Sequence, residues 1–171
     1  DALTPFDGRL YISLQAEPKG PPRPIIAYNP ETLDLVEEAP TAGRRFGRMR
    51  VIEGRLHVPV ADPGADAGGY WVSAGGGRWE RETVVQAPVT FHDIARFDSR
   101  IFLAGSSNGT AVVAWRADGA AEWRIEPLNA QAARFSFQAV SFLGVPERLS
   151  LLAVRDVIGD WPPLVAPRDW G

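Results

Sequence analysis

Six polar side chains mark where this sequence could do chemistry: Arg45, Arg48, Thr90, His92, Asp93 and Arg134. Arginine presents a planar fork of N–H donors that grips carboxylate, phosphate or sulfate groups through paired hydrogen bonds. Arginines converging on one cavity would therefore make an anion site, and the run Arg44, Arg45, Arg48 supplies surplus positive charge there. A histidine beside a carboxylate is the pairing of a general acid–base dyad. His92 and Asp93 are consecutive, however, and consecutive residues of a strand point to opposite faces. They are expected to serve different neighbours, His92 hydrogen-bonding between sheets and Asp93 a backbone amide. His57 falls in mid-strand and reads as packing. With two histidines and no cysteine, no third ligand has zinc spacing. The acidic loop Asp62–Asp66 lacks the alternating oxygen ligands of a calcium loop and reads as a solvated turn. No metal or cofactor is expected.

Composition narrows the classes further. A chain of 171 residues, 45% hydrophobic, is large enough for one domain with a sizeable core. A formal charge of −3 argues against nucleic acid or an anionic membrane as the main partner. No apolar run approaches the roughly 18 residues that a membrane helix needs. The absence of cysteine removes disulfides, thiolate metal sites and a cysteine nucleophile together.

The residues that could do chemistry must be held by strands, and the stretch Val89–Pro127 shows how. Val89–Phe97, Arg100–Gly105, Thr110–Arg116 and Glu122–Glu126 are short apolar or alternating runs. Asp98-Ser99, Ser106–Gly109 and Asp118-Gly119 separate them with turn chemistry. That is the signal of an antiparallel meander with no helical period. The pattern recurs along the chain. Gly8-Arg9-Leu10-Tyr11, Gly54-Arg55-Leu56-His57, Ser99-Arg100-Ile101-Phe102 and Glu147-Arg148-Leu149-Ser150 set their arginines 46, 45 and 48 residues apart. Trp71 and Trp79 match Trp115 and Trp123 at an offset of 44, with Tyr28 and Val36 in the equivalent places of the first repeat. Phe46, Phe91 and Phe135 align the opening strands, and Arg45, Thr90 and Arg134 align with them.

A four-stranded unit of about 40–50 residues is the signature of a propeller blade. The expected fold is all-β: a β-propeller-type repeat of four-stranded antiparallel blades spanning approximately 1–40, 41–86, 87–130 and 131–171. Each blade is a sheet with two apolar faces, stable only when stacked, and the paired tryptophans are expected to fill equivalent wedges between outer strands. Strands are expected near 45–52 in the second blade and near Leu164–Ala166 in the last. Three blades and most of a fourth make about three and a half to four blades, a single partial propeller domain. Because an uncovered blade face and an unpaired edge are avoided in natural sheets, further chain or association of copies is expected to complete a larger ring.

The run DGRLYIS at Asp7–Ser13 and the turn before Trp123 resemble those of the kelch-like and Asp-box (sialidase-type) propeller superfamily. Asp118 and Trp123 keep the Asp-box aspartate-to-tryptophan spacing, while Ala117 stands where the box has serine. Around Trp79, Ser73 and Gly77 are kept and Gly75 replaces the aspartate. The resemblance implies the architecture, and sialidase-like sites use clustered arginines.

In an up-and-down meander successive turns alternate between two ends. One end carries short turns, such as Asp7-Gly8, Glu53-Gly54 and Asp98-Ser99. The other carries Ala16–Arg23, Asp62–Gly68, Gly105–Gly109 and Asp156–Pro163. Variable loops on a rigid scaffold carry binding residues, so the function expected is a ligand-binding or interaction module working through the long-loop end. Its ligand would be an anionic small molecule, a glycan or a peptide, held by Arg45, Arg48, Thr90, His92, Asp93 and Arg134. A glycosidase or sialidase-like hydrolase is the alternative and would need two carboxylates about 5–10 Å apart; Asp93 alone is on an opening strand. A structural scaffold or assembly subunit is the third class. No catalytic residue is assigned.

Overall fold

The computed structural model describes residues 2–13, 24–39, 45–64, 66–127, 137–145 and 148–155. Every regular element among them is a strand, and all pair antiparallel with chain neighbours. The first sheet is β1 (Ala2–Phe6), β2 (Arg9–Ser13), β3 (Ile25–Tyr28) and β4 (Leu35–Ala39). The second is β5 (Arg50–Ile52), β6 (Arg55–Pro59), β7 (Gly68–Ser73) and β8 (Trp79–Val85). The third is β9 (Thr90–Phe97), β10 (Arg100–Ser107), β11 (Thr110–Ala117) and β12 (Arg124–Pro127). A two-stranded sheet follows, β13 (Phe137–Val145) and β14 (Arg148–Arg155). Each four-stranded sheet runs in sequence order, a plain meander. The strand expected near Leu164–Ala166, and Arg134 with it, lie outside the described residues.

The arginine register is realised: β2, β6, β10 and β14 begin at Arg9, Arg55, Arg100 and Arg148. Before the first three stands a two-residue turn with both φ angles positive: Asp7 and Gly8 at 49° and 69°, Glu53 and Gly54 at 50° and 69°, Asp98 and Ser99 at 44° and 56°. This is the turn whose twist matches that of the flanking strands. Ser99 takes the left-handed conformation where the first two turns have glycine. Asn108-Gly109, at 48° and 77°, forms the same turn between β10 and β11. The loop expected at Gly105–Gly109 is thus mostly strand, because Asn-Gly closes the hairpin in two residues and Ser106 and Ser107 extend the ladder. The opening strand of the second sheet, expected over 45–52, is broken: Phe46 bridges Val60, then pairing resumes one residue out of step at Arg50–His57.

The chain divides into two compact units, Asp1–Phe91 and His92–Gly171, with the division inside β9. In the first unit the core forms where two sheets meet face to face. Counting from the arginine that opens each second strand, even positions define a front face and odd positions a back face. Tyr11 and Ser13, opposite Ala27 and Ile25, lie on the front of the first sheet. Leu56 and Val58, opposite Ser73 and Trp71, lie on the back of the second. Tyr11, Ile25 and Ala27 pack with Leu56, Val58, Val60 and Trp71 in one cluster, flanked by Phe6, Phe46 and Trp79. The sheets therefore stack front to back. Burial of these side chains, each worth about 1.5–3 kcal/mol for a large aliphatic or aromatic residue, is what holds them together.

In the second unit β10 and β11 each carry four consecutive buried residues, Phe102–Gly105 and Ala111–Ala114. Consecutive residues alternate sides, so both faces of these middle strands are out of solvent. The same holds for β6 and β7. The first sheet differs: its front is buried, while on its back Leu3 and Leu35 are 63% and 65% exposed.

The tryptophan register does not hold as equivalence. Trp71 stands opposite Val58, three residues past Arg55, whereas Trp115 stands opposite Phe102, two past Arg100. The arginines recur at 45 and the tryptophans at 44. That single-residue slip puts Trp71 on the back of its sheet and Trp115 on the front of its own, since side chains alternate with period two.

Candidate functional site

Arg45 and Arg48 are both exposed, on the segment leading into β5. Their backbone is held: the Ala61 N–H donates to the Arg45 carbonyl at 2.9 Å, and the Gly47 N–H donates to that of Pro59 at 2.8 Å. Thr90 is half-buried as the first residue of β9. These three belong to the first unit. In the second, His92 is half-buried, with Nε2 3.5 Å from the Ser106 hydroxyl. Asp93 is fully buried, and its carboxylate accepts the Ile94 N–H at 2.9 Å. His92 and Asp93 stand on opposite faces of β9. Asp93 is thus enclosed, with its carboxylate bonded to the next backbone amide of its own strand.

His57, read as packing, is 6% exposed, stacks near Tyr70 and donates from Nδ1 to the Arg55 carbonyl at 3.0 Å. Burial pushes its imidazole below the ordinary histidine value. In the acidic loop the Asp62 carboxylate accepts the Gly64 N–H at 3.2 Å, a local turn bond. Among the described residues no group of three or more metal-ligating side chains comes together.

Two side-chain clusters were not anticipated. The first joins the two sheets of the first unit. The Glu38 carboxylate is nearly enclosed, ion-paired to Arg9 and accepting the Trp79 indole N–H at 3.2 Å. Tyr11 packs edge-on against Trp79, with ring centroids 5.9 Å apart. Its hydroxyl lies within reach of the Glu38 charge but has no partner in hydrogen-bond geometry. Burial first, and Glu38 second, push this phenol up to about 12. At the same seam the Gly76 N–H donates to Asp7 at 3.1 Å. Gly75, at φ 103°, leaves no room for a Cβ, which would fall 2.4 Å from that carboxylate. The cluster is a fastening between sheets.

The second cluster is on the third sheet. Trp115 has two guanidinium groups near its ring, Arg100 Cζ 5.4 Å from the centroid and Arg124 Cζ 4.9 Å. Arg124 is the cross-strand partner of Trp115, and Arg100 begins the strand on its other side. Around the same outer corner Arg116 stacks on Trp123 at 4.8 Å. Arg96 grips Asp118 with both terminal nitrogens, one at 2.8 Å. Energetically significant cation–π pairs occur about once per 70–80 residues; three on one sheet is a concentration. An arginine whose side chain is already held against an indole has part of its rotamer freedom restricted, so binding a carboxylate there costs less ordering entropy. The sequence signal was the repeated Trp-Arg dipeptide, Trp115-Arg116 and Trp123-Arg124. Reading it required the cross-strand register, which sets Arg124, not Arg116, against Trp115.

No protein-family model and no curated protein matches the chain.

Proposed function

We propose that this is a binding module of propeller type, in the manner of the kelch-like and Asp-box superfamily, and that its ligand carries carboxylate or similar anionic groups. The architecture rests on one meander per repeat, on front-to-back stacking in the first unit, and on middle strands buried on both faces in the second and third sheets. An antiparallel meander with both faces covered needs neighbours on each side, the condition that blades satisfy.

The ligand class rests on one observation, the Arg100–Trp115–Arg124 cluster. Two guanidinium groups held against one indole form a rigid, half-exposed donor array suited to an acidic glycan, an acidic peptide or a small polyanion. It lies at the short-turn end of the sheet, where β10 and β12 begin. The exposed pair Arg45 and Arg48, toward the other end of the second sheet, is the second candidate for the same ligand class.

Calorimetric titration with a glutamate-rich peptide and with a uronate oligosaccharide tests this. Arg124→Gln is expected to weaken binding at least about tenfold, the loss of one charge-assisted contact, with the fold unchanged by circular dichroism. Arg45→Gln with Arg48→Gln is expected to leave it intact. Loss only in the latter pair would move the site to the long-loop end; no binding of either probe would overturn the anionic reading.

A further inference from the structure

Asn108-Gly109 closes the β10–β11 hairpin with both residues in the left-handed region, at φ 48° and 77°. Both are exposed, and a Cβ built on Gly109 would meet nothing within 4 Å. A glycine after an asparagine has no side chain to keep its backbone nitrogen from the asparagine's side-chain carbonyl. The chain has three asparagines, and the other two are placed differently. Asn29 precedes Pro30, which has no backbone N–H, and its Oδ1 already accepts the Glu31 N–H at 2.9 Å. Asn129, outside the described residues, precedes Ala130, whose methyl group hinders the same approach.

We infer that Asn108 is a modification site, at which the folded chain spontaneously loses ammonia and gains a carboxylate. The Gly109 nitrogen attacks Asn108 Cγ. The N–Cγ bond forms, the Cγ–Nδ2 bond breaks, and ammonia leaves with the proton that the Gly109 nitrogen gives up. Water then opens the resulting five-membered imide on one side or the other. Addition at Cγ gives aspartate. Addition at the backbone carbonyl gives isoaspartate, whose main chain runs through Cγ and is one methylene longer.

The fold tells the two products apart. Aspartate suits the turn, since Asp7 and Asp98 stand at the same first position of their own two-residue turns, at 49° and 44°. Isoaspartate does not, because the added methylene takes the loop out of the geometry whose twist matches the strands. The pairs Ser107–Thr110 and then Ser106–Ala111 open first. With them goes the strand end that sets the Ser106 hydroxyl 3.5 Å from His92. The buried residues Phe102–Gly105 and Val112–Ala114 hold the rest of the hairpin. The Arg124 cluster is at the other end of this sheet, so neither proposal depends on the other.

Incubating the native full chain in mildly alkaline buffer, then digesting it with trypsin, tests the inference. The peptide Ile101–Arg116 holds Asn108, and Ile125–Arg134 holds Asn129. Conversion is expected at Asn108 before Asn129, with aspartate and isoaspartate both found by fragmentation. A hairpin tip opens locally at little cost. The native rate at Asn108 is therefore expected to stay within about tenfold of the rate in urea, a barrier difference of ~1.4 kcal/mol. Asn108→Asp is expected to keep the wild-type unfolding midpoint, and the isoaspartyl chain, isolated by chromatography, to unfold at lower denaturant. An Asn108 that stays intact in the native chain while the urea-unfolded chain converts overturns the inference. So does earlier conversion at Asn129, or an isoaspartyl chain as stable as Asn108→Asp.

Discussion

Trp71 and Trp115 occupy the third strand of successive meanders and lie in opposite surroundings. Trp71 is 9% exposed, part of the cluster that holds two sheets together, with Arg81 over its ring at 5.7 Å. Trp115 is half-buried, with the guanidinium carbons of Arg100 and Arg124 5.4 and 4.9 Å from its ring centroid. One indole works as core and the other as a platform that arranges charge. The difference comes from one residue: Arg55 to Trp71 spans sixteen positions and Arg100 to Trp115 fifteen. With a side-chain period of two, that moves an indole from the back of a sheet to the front. A repeat can therefore keep its strands and turns while changing what a shared residue does.

The sharpest way to break this contrast is to truncate both indoles. Trp71→Ala removes a large side chain from a packed seam and is expected to cost about 3–5 kcal/mol in chemical unfolding. Trp115→Ala removes a half-buried ring whose partners are partly hydrated, and is expected to cost about 1 kcal/mol while abolishing the anion binding proposed for Arg124. Equal costs at the two positions would mean that both are core, and the platform reading would fall.

The seam offers a second break. Gly75→Ala adds a methyl group at a positive φ and drives it into Asp7. It is expected to destabilise by about 1–2 kcal/mol, from conformational strain and the displaced carboxylate. Gly119 also has a positive φ but open space around it, so Gly119→Ala should cost less, from strain alone. Unfolding midpoints of the two variants decide whether crowding or conformation dominates at the joint.

How far the sequence could be read follows the same division. Strands and hairpins were legible because their signals are local: two turn residues, an arginine, an alternating run. The one-residue bulge after Phe46 and the tightness of the Asn108 turn were not, since each depends on a partner strand's register. Burial of Asp93 was invisible for a related reason. Its bond to a backbone amide was the expected one, but its neighbours His92 and Ile94 carry no mark of which face of β9 is enclosed. The Arg–Trp stacks required cross-strand pairing, Trp115 with Arg124, which spacing along the chain points away from. Glu38 was one acidic residue among several on an outer strand until Arg9 and Trp79 were brought to it.

The smallest expected effect is also the most diagnostic of the seam. Tyr11 is fully buried, and its phenol is pushed up to about 12 from an ordinary 10.0, by burial and by the nearby Glu38 charge. A group that holds its proton more tightly when folded contributes stability fully present below pH 10 and lost as pH rises through about 12. Between those values the unfolded chain releases a proton that the folded chain retains. Because the hydroxyl has no aligned partner, Tyr11→Phe should change stability at neutral pH by less than about 0.5 kcal/mol. Across pH 10 to 12, the variant should lose less stability than wild type, and the latest tyrosinate absorbance step should vanish. A large cost at neutral pH would instead show the phenol donating to Glu38 in solution. The fastening would then be a three-way hydrogen-bonded group, with Trp79 and Tyr11 sharing one carboxylate.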